Sequence, residues 1–143
     1  IGCNVAPSIP HNTVDAAKYF DQYNIVVMGG TTPGHTTDAV AVSLARDCGA
    51  RDCIIATNVS HIFDKDPKVS EDAKPFVEMT INELIELIGT DRMEPGQSAV
   101  VDPIAIGLAE KSQINIAVLD GRDVDLIESA LDGKEFEGTL VRS

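Results

Sequence analysis

The sequence predicts an α/β fold, a three-layer sandwich with a mainly parallel sheet between helices. Two observations predict it. Apolar strand-like runs alternate with helix-like runs along the chain, the order of βαβ units. The strand-like runs, such as Ile25-Val26-Val27 and Cys53-Ile54-Ile55-Ala56, are apolar at successive positions, as strands buried on both faces are.

The elements follow in order. Asn12 or Thr13 caps a helix running to about Gln22. Ile25–Met28 reads as a buried strand, and about Asp38–Cys48 as a helix that Gly49 stops. Asp52–Thr57 is the next buried strand. The polar stretch Asn58–Phe76 then reads as a working loop with a short hairpin. Thr80-Ile81-Asn82-Glu83 is a capping box before the apolar face of Leu84, Ile85, Leu87 and Ile88. Met93–Ser98 is a turn-rich link. Asp102–Ser112 is a helix with Pro103 in its first turn, and Ile114–Leu119 is a strand. Asp123 or Asp125 opens a helix ending near Leu131, and Gly138–Val141 closes the sheet.

Composition narrows the partners. Of 143 residues, 23 are acidic and 11 basic, a formal charge of −12, which argues against nucleic acid, where affinity comes from many Lys and Arg. An acidic chain that binds anions must use local dipoles, a metal ion or a few placed cations. No run is long enough to span a bilayer, so no membrane partner is expected. Cys3, Cys48 and Cys53 have no metal-ligand spacing, and an odd number without CxxC fits a reducing, cytoplasmic setting. The start, Ile1-Gly2-Cys3-Asn4, has neither Met nor a signal-peptide pattern, so the chain is expected to begin inside a longer protein.

The run Met28–Ala39 carries the most chemistry. It joins a strand to a helix through Gly29, Gly30 and Gly34, with Pro33, His35 and four threonines, Thr31, Thr32, Thr36 and Thr37. The first N–H groups of a helix lack internal partners, so such a loop makes an anion site. A structural cap needs only one hydroxyl, and this loop offers more, which favours phosphate binding. It is neither a P-loop nor GxGxxG. Asp38 either stabilises the helix dipole or orients a cation beside the phosphate.

A second site begins where the strand at Thr57 ends, the place where ligands gather in parallel sheets. Thr57 and Asn58 suit a ligand edge, Phe63 a flat ring and Asp66 sugar hydroxyls. A hairpin with Phe63 in the core and Asp66-Pro67 as turn chemistry explains the same residues equally well. A third stretch, Gly96–Pro103, reads first as a plain helix start.

Together these residues resemble a known family. Met28–Val40, Ala56-Thr57-Asn58-Val59, Asp66-Pro67, Val101-Asp102-Pro103 and Gly138-Thr139, in this order, are similar to the carboxyl-terminal part of archaeal-type uridylate (UMP) kinases of the amino acid kinase superfamily. The resemblance covers nearly all of residues 1–143 as a single partial domain, with an amino acid kinase-like fold whose amino-terminal part is missing. It implies transfer of the ATP γ-phosphoryl group to UMP, giving UDP and ADP, with Mg2+ arriving with ATP. By resemblance Gly30, Thr31, Thr32, Pro33, Gly34, His35 and Thr36 line the UMP site, and Thr57, Asn58, Phe63 and Asp66 contact ATP. Asp38 matches an aspartate that orients catalytic lysines and glycine-loop groups. No protein metal ligand is assigned, and the resemblance implies a homo-oligomer, a hexamer.

Departures accompany the match. Ser60-His61 stand where the family usually has Asp-Gly, Phe63 stands where it has Tyr, and the amino-terminal glycine loops with their Lys and Arg have no counterpart. A piece not competent for turnover by itself is therefore expected. Alternatives are a non-catalytic nucleotide- or oxyanion-binding relative, or a sister kinase acting on another acceptor.

Overall fold

The computed structural model describes residues 2–31, 33–89 and 101–143. Thr32, the Met93–Ser98 link and the Gly96–Val100 part of the third stretch lie outside the described residues. The elements are α1 (Thr13–Phe20), α2 (Thr37–Asp47), β1 (Asp52–Thr57), β2 (Ile62–Phe63), β3 (Pro75–Phe76), β4 (Glu78–Thr80), α3 (Ile81–Gly89), α4 (Pro103–Ser112), β5 (Asn115–Asp120), α5 (Val124–Leu131) and β6 (Thr139–Arg142).

Helix starts follow the capping residues. Asn12 accepts from the Asp15 N–H at the start of α1, and Thr36 from the Ala39 N–H at the start of α2. Asp102 and Asp123 do the same for α4 and α5. Before α3 the capping box closes in both directions. The Thr80 N–H donates to Glu83 at 2.7 Å, and the Glu83 N–H donates to the Thr80 hydroxyl at 3.2 Å.

The main sheet has the order β1-β5-β6-β4. The β1–β5 and β4–β6 ladders are parallel and β5–β6 is antiparallel, so the sheet is mixed and mainly parallel. Cys53, Ile55, Ile116 and Val118 share one core with Val42 of α2 and with Ala105, Ile106 and Ala109 of α4. Ala117 and Leu119, on the other face of β5, are buried too, and α5 packs against β1 and β5. Burying side chains such as Ile106, Ile116 and Leu119 contributes about 1.5–3 kcal/mol each.

One expected element needs correction. Ile25–Met28 is not a buried strand. Ile25 is 42% exposed and Val27 57%, and among the described residues the run pairs only through an isolated parallel bridge from Ile25 to Val5. Burial on both faces requires neighbouring strands, and among the described residues none of the main-sheet strands pairs with this run. The structure also adds β4, a strand too short to show in the sequence pattern.

Candidate functional site

The glycine–threonine loop meets two helix N-termini. Thr36 has extended backbone, φ −75° and ψ 164°, as an N-cap must. Its hydroxyl accepts from the Ala39 N–H at 3.2 Å and donates to Asp102 Oδ2 at 2.7 Å. Asp102 in turn caps α4, taking the Ile104 N–H on Oδ1 at 3.3 Å, and its own N–H donates to Asp38 Oδ2 at 3.2 Å. Thr36, Asp38 and Asp102 therefore form one junction that fixes the start of α2 against the start of α4. The sequence reading of Asp102 as a plain helix start missed this link, because its partners lie 64 and 66 residues away.

This junction changes the reading of the loop. The Thr36 hydroxyl is committed on both sides, so an incoming anion would meet backbone N–H groups, Thr31 and His35 instead. Gly34 holds φ +89°, a conformation that favours glycine and turns the loop into the helix. Gly30, Pro33, Gly34 and His35 are exposed and Thr31 is half-buried.

A cavity of about 640 Å³ opens beside the loop, lined by His11, Thr31 and His35, by Ala39, Val40, Ser43 and Arg46 of α2, and by Ile104, Leu108 and Lys111 of α4. Among the described residues none that lines it is acidic, although the chain carries −12. Arg46 is shared with its neighbour Asp47, at 2.9 Å. Behind α2, burial pushes the Cys53 thiol up to about 11, with the Asp38 charge adding to the effect, so this thiol is protonated and inert.

The second site lies at the carboxyl end of β1. Thr57 is half-buried, with its carbonyl accepting from the Gly121 N–H at 2.8 Å, and Asn58 is exposed. The expected hairpin is present as β2 paired with β3, Ile62 opposite Phe76 and Phe63 opposite Pro75. Ile62 enters the core, and Phe63 is half-buried on the other side, edge-on to His61 with ring centroids 6.1 Å apart. Asp66 Oδ1 accepts from the Lys68 N–H at 2.8 Å, the turn chemistry that Asp-Pro favours. Phe63 and Asp66 thus share a loop with Thr57 and Asn58, and the Gly30–Thr36 loop belongs to a separate junction at α2.

Three further residues flank this end of the sheet. Asp120 pairs with Thr57 across the β1–β5 ladder, and Arg122 grips its carboxylate. Hydrogen bonds from the Arg122 side chain, then from its N–H, hold the Asp120 carboxyl at about 2. An aspartate at a strand end followed by Gly121 was the available signal. The third residue is Thr139, whose buried hydroxyl bonds to β2 and β3. Among the described residues no three His, Cys, Asp or Glu side chains converge as a metal site, and no helix is long and apolar enough to cross a membrane.

Comparison with known proteins agrees with this fold. The uridylate kinase of Methanococcus vannielii is 38% identical over 133 residues, 93% of this chain and 58% of that protein. The uridylate kinase of Methanocorpusculum labreanum is 46% identical over 117 residues, 82% of this chain and 50% of that protein. The crystal structure of the uridylate kinase from Archaeoglobus fulgidus superposes with a TM-score of 0.84 at 33% identity, over 96% of this chain and 61% of that one. The chain thus spans about half to three-fifths of the length of these relatives. The amino acid kinase family matches residues 3–120. With that match over most of its length, and with the parallel β1–β5 pair and helix-capped loops in place, the chain belongs to the amino acid kinase family.

Proposed function

We propose that this chain carries the nucleotide-binding part of a UMP kinase, which transfers the γ-phosphoryl group of ATP to UMP and yields UDP and ADP. The observation that carries the reading is the Gly30–Thr36 loop at the N-terminus of α2, locked to α4 through Asp102. Support comes from relatives named uridylate kinase, aligned over 82–93% of the chain.

Such transfer is mostly positioning and charge neutralisation. In this reading Gly30, Thr31, Thr32, Pro33, Gly34, His35 and Thr36 line the acceptor site, where α2 N–H groups and the helix dipole face the UMP phosphate. Thr57, Asn58, Phe63 and Asp66 take the donor, with the Phe63 ring against the base. Asp38 orients the cations that neutralise the transferring group, and Mg2+ enters as part of the MgATP substrate. We place the reaction in the cytoplasm, in a homo-oligomer that resemblance makes a hexamer.

A coupled ADP assay on the full-length gene product, with UMP and other acceptors, tests the reading. UMP-dependent ADP release with UDP as product is expected. Binding of both nucleotides by calorimetry without turnover would identify a non-catalytic binder, and preference for another acceptor would identify a sister kinase.

A further inference from the structure

We infer that Thr139 is a positioning residue for the donor-nucleotide loop: its buried hydroxyl, bonded to Ile62 and Phe76, holds the β2–β3 ribbon at the carboxyl end of the β1–β5 pair. The nucleotide's identity rests on the proposed kinase reading, whereas the restraint itself does not.

Thr139 is fully buried and is the one buried polar side chain among the described residues. A hydroxyl so placed costs stability unless both its donor and acceptor capacities are met. Here both are: Oγ1 accepts from the Ile62 N–H at 2.9 Å and donates to the Phe76 carbonyl. Both partners belong to the ribbon. A valine of the same shape would suit the strand better on packing alone, so the hydroxyl's contribution is these two bonds.

The ribbon needs an external anchor. It is two residues long on each side, and one of its four residues, Pro75, has no N–H to give. A two-stranded ribbon of this size is marginal by itself in water. Beside the burial of Ile62 in the core, Thr139 supplies a polar anchor at a fixed level of the sheet. It pairs with Val118 on β5, two residues before Asp120, which stands opposite Thr57. The hydroxyl therefore ties the segment carrying Phe63 and Asp66 to the strand ends that carry Thr57. Gly138 allows the close approach, since a Cβ there would lie 2.5 Å from the Val118 carbonyl oxygen.

The test compares Thr139→Val and Thr139→Ser with wild type in the full-length protein. Hydrogen exchange is expected to speed up about tenfold in residues 58–76 of Thr139→Val, with β1 and β5 unchanged, and Thr139→Ser is expected to restore protection. KM for ATP is expected to rise about tenfold in the valine variant, with KM for UMP within about twofold of wild type. Unchanged exchange in 58–76, or equal rises in both KM values, overturns the inference. If Thr139→Val does not fold, the wild-type Ile62 amide decides: it must be the slowest to exchange within 58–76. If wild type shows no UMP-dependent ADP release, the kinase reading fails while the exchange measurements still judge Thr139.

Discussion

The Thr36 hydroxyl donates to Asp102 Oδ2 at 2.7 Å while accepting from the Ala39 N–H, so one side chain caps α2 and ties it to the cap of α4. Thr36→Val removes both bonds and is expected to cost about 1–2 kcal/mol. Asp102→Ala removes the shared partner. In urea unfolding the double variant is expected to fall short of the summed single losses by about 0.5 kcal/mol or more. Additive losses would mean that the two caps act independently.

Asp38 accepts from the Asp102 N–H through one carboxylate oxygen. Asp38→Asn keeps an oxygen acceptor but loses the charge. Stability is therefore expected to move by about 0.5 kcal/mol or less, while turnover of the full-length protein drops about a hundredfold or more. Parallel urea titrations and coupled ADP assays separate the two effects. A variant with normal turnover would leave Asp38 as a helix-start residue only.

The cysteines differ in environment. Cys3 is exposed, Cys48 is half-buried with its thiol pushed up by burial and by Asp47, and Cys53 is buried with its thiol at about 11. A thiol-reactive chromophore at pH 8 is expected to label Cys3 at once, Cys48 slowly and Cys53 only after unfolding. Rapid labelling of Cys53 in the native protein would contradict the core packing of β1.

Asp120 is held at about 2 from an ordinary 3.8 by Arg122. Its folded value is depressed, so its contribution is present above about pH 4 and is lost as pH falls from 3.8 through about 2. Carbon-detected NMR titration of the Asp120 carboxyl is expected to give a midpoint near 2, and Arg122→Gln to return it toward 3.8. Unfolding midpoints of Asp120→Asn and wild type are expected to converge as pH falls through that window.

Two glycines give opposite signs. A Cβ on Gly138 would meet the Phe136 ring and the Val118 carbonyl at 2.5 Å, so Gly138→Ala is expected to destabilise by about 1–3 kcal/mol. Gly107 lies inside α4 with nothing within 4 Å of such an atom, so Gly107→Ala is expected to stabilise by about 0.5–1 kcal/mol. Thermal unfolding of the two variants checks both signs together.

The helices were legible because their signals are local. Asn12, Thr36, the Thr80–Glu83 box, Asp102 and Asp123 each act within three residues, and the sequence contains all the partners. The parallel β1–β5 pair was legible because continuous apolar runs mark strands covered on both faces. The same rule misread Ile25–Met28, since an apolar run does not say whether a neighbouring strand stands beside it. Of the candidate site, the two loops and their residue types were readable. Which residue of Ile62-Phe63 faces the core was not, because that depends on where the ribbon docks.

By itself, then, the amino-acid order determined the α/β class, the capped helices and the glycine–threonine loop at a helix start. Tertiary structure decided what those parts do to one another. It spent the Thr36 hydroxyl on Asp102, set Asp120 beside Thr57 and buried the Thr139 hydroxyl against Ile62 and Phe76. The reason is sequence separation: Thr36 meets Asp102 across 66 residues and Ile62 meets Thr139 across 77. A hydrogen bond of that span is fixed only once the sheet and its helices have packed, whereas a cap is fixed by its own turn.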